Sequence, residues 1–356
     1  MKFSLLDRYI AATMLKATAV TVVVLVALMV FFGVIDELDN VGRGNFGLGD
    51  AFLVVILSTP RYVFEVFPVA AMLGSLIGLG AMGSHGELVA MRSAGFSLRQ
   101  ITLAVMKTGM LMMLFVFLFG ELVAPVSEQW GEQHRIEELE MKTTLKTRHG
   151  FWARDGSAFV NIREILPSAQ LREIYVYEFD DARRLTLATR AERAEHRGDH
   201  WVMFGIRQSR ISEDGVSERQ LARARWDSLL DPGLLRAVLI HPTMLPLNEL
   251  HRYIRLMRDN GQSAIDYEVA FWSKLATPPA TLVMLFLSVP FVLAHSRFVS
   301  IGQRIFLGIV FGMAFYMLNR GMSYVALVYG LNPLVSALIP AAAFLAIGVF
   351  MIRRVR

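Results

Sequence analysis

Six stretches of this chain are too long and too apolar to fold in water: about residues 9–35, 51–82, 100–123, 264–294, 302–330 and 333–352. A helix needs about 20 apolar residues to cross the hydrocarbon core of a bilayer, and each stretch supplies them. Between the third and the fourth lies a polar, charged block from about Glu121 to Gly261. Charged backbone of that kind does not sit in lipid. The chain therefore reads as a six-helix membrane protein with a water-exposed domain inserted halfway. The divisions that follow are 1–123 for the first three spans, 124–262 for the inserted domain and 263–356 for the last three.

Composition agrees. Of the 356 residues, 54% are hydrophobic, too many for a soluble chain of this length. There are no cysteines, which excludes disulfides, thiolate metal sites, iron–sulfur clusters and cysteine nucleophiles. The net charge of +5 is modest, no arginine cluster with interleaved aromatics lies outside the spans, and nucleic acid is not indicated as a partner. Charge follows topology instead. Lys2, Arg8 and Lys16 flank the start, Arg92 and Arg99 lie in the second loop, Arg297 and Arg304 in the fourth to fifth, and Arg353, Arg354 and Arg356 at the end. The first loop on the other side carries Asp36, Glu37, Asp39 and Asp50 against Arg43. Cationic loops stay in the cytoplasm, so both termini are expected there, and the inserted domain is expected outside. The uncharged run Ala17–Ile35 exceeds the about 7–15 residues of a cleavable signal core, so it is expected to remain as the first span.

The inserted block shows strand and turn chemistry after a helical stretch expected at about 126–146. Turn signals recur at Asp155-Gly156, Asp181-Ala182, Gly198-Asp199 and Asp214-Gly215. Short β-rich runs lie between them: Phe159–Ile162, Ile174–Phe179, Leu185–Leu187 and Trp201–Ile206. The last is apolar on both faces, which suits the inside of a sandwich or a strand whose second face meets something apolar. His196 and His200 are spaced like a helical metal pair, but Arg197-Gly198-Asp199 between them predicts a hairpin, so no metal site is assigned.

Catalytic motifs are missing. No Gly-Lys dipeptide occurs, hence no phosphate loop, and neither G-x-S-x-G nor H-E-x-x-H is present. Ser75 and His85 are the nearest thing to a nucleophile and base, and ten residues within a span separate their depths. No catalytic residue is predicted. The second span is irregular, with Pro60 and Pro68 and then Gly74 and Gly78 four apart, a spacing that lets another helix approach closely. After it, Ser84 and Glu87 have the spacing of a capping box, and Gly95 suits a left-handed helix end. They bracket a short amphipathic helix at about 85–94. Two readings stand for it: a helix lying on the lipid surface, or the knob by which a cytoplasmic ATPase moves a permease.

The run Glu87-Leu88-Val89-Ala90-Met91-Arg92-Ser93-Ala94-Gly95-Phe96-Ser97 resembles the coupling-helix signature of the lipopolysaccharide export permeases, the LptF/LptG family. Leu6-Asp7-Arg8-Tyr9, Pro60 with Pro68, and Gly120-Glu121-Leu122-Val123-Ala124-Pro125 match that family in position, and Gly150–Gly156 and Val328-Tyr329-Gly330 favour its LptG branch. The resemblance covers the whole chain. It implies a β-jellyroll for the inserted periplasmic domain, an LptF-like partner permease, a dimer of the LptB-like ATPase beneath, and an LptC-like protein inserting one helix at the gate. ATP and Mg would be bound by that ATPase, with no cofactor in this chain. The cargo would be lipopolysaccharide, drawn from the inner membrane of a Gram-negative cell towards the outer one. Glu87, Leu88, Met91, Arg92 and Gly95 would form the ATPase contact, and the first and fifth spans would line the cavity.

Charges inside spans mark a cavity or a partner. Arg61, Lys274 and Arg320 fall in the half of the bilayer where lipid A carries its phosphates, and Arg43 and Arg135 lie near the outer end. Arginine binds phosphate oxygens bidentately, so these five residues are substrate candidates, with Phe31, Phe32, Phe306, Phe311 and Phe315 as acyl-chain candidates. The plainer readings are that Arg61 pairs with Glu65, Lys274 snorkels outward, Arg320 meets an acid of the partner subunit, and the phenylalanines only pack. Family members often carry lysines near the outer end of the first span, whereas here Arg43 is the only cation of that stretch. A mechanotransmission subunit without a cargo is the alternative function, but such proteins normally have four spans.

Overall fold

The computed structural model describes residues 4–139, 151–155, 158–165, 170–180, 184–197, 200–212, 215–226, 241–259, 262–294 and 301–354. Among these residues six helices are long and apolar enough to cross a membrane, where the apolar runs predict them. In chain order the helices are α1 (Leu5–Leu38), α2 (Leu48–Ser84), the short α3 (Glu87–Ser93), α4 (Leu98–Leu122) and α5 (Ala124–Glu138). After the insertion come α6 (Leu247–Asp259), α7 (Ile265–Ala294), α8 (Ile301–Tyr329) and α9 (Pro333–Arg354). The spans are α1, α2, α4 prolonged by α5, α7, α8 and α9.

Two compact units result. One holds residues 1–42, 46–134 and 268–356; the other holds 43–45 and 135–267. The inserted unit thus starts later than the expected 124, because most of α5 stays with the spans.

Local chemistry sets the helix ends. Ser4 Oγ accepts from Asp7 N–H at 3.2 Å, and Asp7 Oδ2 accepts from Ser4 N–H at 3.0 Å, so a capping box starts α1. Ser97 and Gln100 do the same for α4. α2 runs unbroken through Pro60 and Pro68. α4 gives way to α5 at Val123, where Pro125 has no N–H to offer the Glu121 carbonyl. The expected helix at 126–146 is α5; its residues 140–146 lie outside the described residues.

In lipid, apolar burial drives helices together weakly, so close approach through small residues decides the packing. α2 is the spine on which the others lean. A side chain at Gly74 would sit 2.6 Å from Thr18 N of α1, and one at Gly78 would lie 3.2 Å from the Thr13 carbonyl. The four-residue glycine spacing therefore receives α1, as its sequence suggests. A second such pair went unread: Gly308 and Gly312 of α8 receive Leu73, Leu76 and Val69 of α2. Ile10, Met14, Met72, Leu76, Met284 and Leu287 lie in the shared core.

The inserted unit is an antiparallel sheet in which six consecutive strands are neighbours: β1 (Phe151–Asp155), β2 (Ala158–Ile165), β3 (Leu171–Phe179), β4 (Leu185–Arg197), β5 (His200–Ser212) and β6 (Gly215–Trp226). All four turn signals fall at junctions between strands; their connecting residues 156–157, 181–183, 198–199 and 213–214 lie outside the described residues. An inserted β domain is thus present, with the helix α6 in the same unit rather than the all-β composition expected. Its strands are longer than the expected runs, and β1 and β6 were not foreseen. Paired rows such as Ile162–Ile174–Ala191 and Leu171–Ala194–Met203 build the buried face. Within β3, β4 and β5 the buried residues switch from even to odd spacing at one level (Leu171 and Ile174, Ala191 and Ala194, Met203 and Ile206). Glu173 (φ 49°) and Gly205 (φ 63°) occupy left-handed backbone there. The strand pairing keeps one register across this level, so the apolar face continues through the change of parity. In the doubly apolar run Trp201–Ile206, Phe204 is covered by Arg193, whose guanidinium lies 4.5 Å from its ring centre. His196 and His200 sit at the β4–β5 hairpin, where His196 pairs with Trp201.

Candidate functional site

The corner between α2 and α3 is built differently from its sequence signature. Ser84 caps nothing: its hydroxyl donates to the Ala81 carbonyl at 2.9 Å. Gly86, at φ 76°, turns the chain instead and serves as the N-cap of α3. The expected 84–87 capping box is therefore absent, because a left-handed glycine places Glu87 at the first helical position. The other end obeys expectation. Gly95 has φ 91°, with Gly95 N–H donating to Arg92 O and Phe96 N–H to Met91 O, both at 3.1 Å. This is the paired-bond helix ending that glycine at this position permits.

The five residues assigned to an ATPase contact separate into two groups. Leu88 is buried in the core and Met91 packs against it, so these two anchor α3 rather than face a partner. Arg92 and Gly95 are exposed, and Glu87 is half-buried. Two residues that sequence reasoning missed, Val89 and Phe96, are exposed apolar side chains beside them. Their signal was available: in a seven-residue helix only one face can be buried.

Three polar ties converge near this corner. Tyr9 Oη donates to Glu87 Oε2 at 2.9 Å. Lys107 Nζ pairs with Asp7 Oδ2 at 2.7 Å. Arg304 Nη1 donates to the Gly80 carbonyl at 2.6 Å. The last corrects the reading of Arg304 as a loop cation, for it is 4% exposed. It sits near the C-terminal end of α2, where the helix dipole favours a cation. Gly80 makes the approach possible; a side chain there would stand 2.7 Å from Arg304 Nη1.

The intramembrane charges are gathered into a seam. Arg320 Nη2 meets Glu65 Oε2 at 2.7 Å, and Arg61 Nη1 meets Glu65 Oε1 at 3.0 Å. Arg61 Nε meets Glu128 Oε1 at 2.6 Å, and Lys274 Nζ meets Glu121 Oε2 at 3.2 Å. Each plain alternative is therefore modified. Arg61 has Glu128 besides Glu65, Lys274 does not snorkel, and the acid meeting Arg320 belongs to this chain. Arg320 stays 46% exposed at its side chain, the most open of the three cations. Arg43 and Arg135 fall in the other unit, the first exposed and the second half-buried. Phe31, Phe32 and Phe306 are exposed along their helices. Phe315 is buried against Phe344, and Phe311 stacks edge-on with Phe291, so these two belong to the packing. Ser75 is buried and shares a 2.7 Å hydrogen bond with Ser288, which removes it as a nucleophile.

Six spans on a glycine-lined spine, with a short helix exposed between the second and third, define a multi-pass membrane protein. Residues 8–354 match the family model described as lipopolysaccharide export system permease LptF/LptG. The chain is 33% identical over 355 residues to the lipopolysaccharide export system permease protein LptG of Escherichia coli K12, covering 99% of each. It is 34% identical over 353 residues, again 99% of each, to the protein of that name from Haemophilus influenzae. The chain belongs to the LptF/LptG family, a family of transporter subunits rather than enzymes.

Proposed function

We propose that the chain is the LptG-type permease subunit of an ATP-driven machine that lifts lipopolysaccharide out of the inner membrane and passes it to a periplasmic bridge. The alternating loop charges support cytoplasmic termini and a periplasmic inserted domain. The observation that carries the reading is α3: an anchored helix showing Val89, Arg92 and Phe96 outward, on a chain without a phosphate loop. Such a knob suits a groove on a separate ATPase, which binds the ATP and Mg. An LptF-like subunit completes the membrane part, an LptB-like dimer drives it, and an LptC-like span serves the gate.

Within the seam, Arg320 is the residue suited to the cargo's phosphate. It is half open, and its counter-ion Glu65 is also held by Arg61. A phosphate taking Arg320 would leave Glu65 paired, so the exchange strands no charge. Copurification of the chain with a cytoplasmic ATPase, followed by mass spectrometry of the bound lipid, tests the function; a complex without lipopolysaccharide sinks it. For the site, Arg320→Ala is expected to lower lipopolysaccharide crosslinking and lipid-stimulated ATP hydrolysis about tenfold, the loss of one charge-assisted contact. Unchanged crosslinking removes Arg320 from the cavity.

A further inference from the structure

The first turn of α1 is held on two sides. Lys107 of α4 ties Asp7, whose side chain is 8% exposed, and Glu87 of α3 ties Tyr9. Residues two apart on a helix point about 200° away from each other. The two ties therefore grip opposite sides of the same turn. One leads to a span, the other to the helix that faces the ATPase. Beyond this turn α1 rests on Gly74 and Gly78. Thr18 Oγ1, buried at that contact, makes no hydrogen bond among the described residues. Apolar contact with glycine resists sliding and tilting far less than a directed hydrogen bond does. Further along, Val20, Val23, Val24, Leu28, Phe31 and Phe32 are exposed.

We infer that Tyr9 is the positioning residue through which α3 moves the first span, with the Asp7–Lys107 pair as the pivot. The inference rests on the proposed function. A displacement of α3 carries the Glu87 carboxylate and, through it, the Tyr9 phenol. The neighbouring Asp7 is fixed to α4, so α1 tilts rather than translates. Two residues of offset amount to about 3 Å along the axis, against about 50 Å of helix. A small motion at the first turn is thus a large one at the exposed far end. The same bond orients Glu87: one carboxylate oxygen is occupied by Tyr9, which leaves the other for the ATPase.

The absence of cysteines lets introduced ones carry spin labels without background. Two label pairs in the reconstituted complete transporter separate the motions: Ser93→Cys with Leu114→Cys reads α3 against α4, and Leu28→Cys with Leu114→Cys reads α1 against α4. With ATP and vanadate, both distances are expected to change in the otherwise unaltered chain. Tyr9→Phe is expected to keep the α3 change, lose most of the α1 change, and lower lipid delivered per ATP about fivefold. Asp7→Asn with Lys107→Met keeps the cap, frees the pivot and is expected to lose the α1 change. If Tyr9→Phe preserves both changes, or abolishes both, the phenol does not transmit motion and the inference fails. If the unaltered chain shows no nucleotide-dependent change in either pair, the proposed function itself fails.

Discussion

Replacing Glu65 by leucine is expected to destabilise the membrane unit by about 2 kcal/mol, after allowing for the partial exposure of Arg320. Glu65 is the shared counter-ion of Arg61 and Arg320, with one oxygen on each. Its loss leaves Arg61 with Glu128, whereas Arg320 keeps Tyr316, whose ring centre lies 5.6 Å from its guanidinium carbon. An arginine without a partner costs about 2.5–3.5 kcal/mol at the centre of a span, and Arg320, past the middle of α8 towards its Tyr329 end, falls below that figure. The double variant Glu65→Leu/Arg320→Leu removes both charges and is expected to recover most of the loss, as a coupled pair should. Denaturation midpoints of wild type, Glu65→Leu, Arg320→Leu and the double variant in one detergent close the cycle. Equal midpoints for wild type and Glu65→Leu would mean that the seam contributes nothing to stability. The cycle isolates the stability contribution from the cargo contact proposed for Arg320.

A larger effect is expected at Gly74. A leucine there meets the backbone of Thr18, which has no rotamer to change, so α1 must leave the spine or bend around the new side chain. Overpacking among side chains costs about 1–3 kcal/mol, and backbone against backbone belongs at or above the top of that range. Gly74→Leu is accordingly expected to accumulate poorly in membranes, with Gly74→Ala between it and wild type. Gly321 provides the control, because a Cβ there has nothing within 4 Å. Gly321→Ala is expected to be neutral or stabilising by roughly 0.5–1 kcal/mol, from the entropy that glycine loses in a helix. If Gly74→Leu accumulates and melts like wild type, the close approach of α1 and α2 is not what holds the first span.

Which features were legible follows from the range of the forces that make them. Spans are written in runs of apolar side chains, so all six appear where the runs lie. Turns are written in two or three residues, and the Asp-Gly signal and its relatives fall at four of the five strand junctions. β6 was missed because its side chains are largely exposed on both faces, and Ser217 to Arg225 shows no clean alternation. The Ser84–Glu87 spacing misled because it fits a capping box, while the real turn lies in the single left-handed Gly86. Arg61 with Glu65 could be read from an i,i+4 spacing. Arg320 with Glu65 could not, since 255 residues separate them. Arg304 looked like one more loop cation until the Gly80 carbonyl near the end of α2 gave its burial a reason.

The seam has an electrical consequence. Glu65, Glu121 and Glu128 stand against Arg61, Arg320 and Lys274, three acids and three bases with no net charge among them. A unit charge crossing a field of 100 mV exchanges about 2.3 kcal/mol with the membrane potential; a neutral set that moves as one body exchanges none. Only a motion that carries the second, third, fourth and fifth spans together keeps this set intact and is blind to voltage, because the two acids Glu121 and Glu128 stand on the third span. A motion of the second, fourth and fifth spans against the third would move two uncompensated positive charges and would feel the membrane potential.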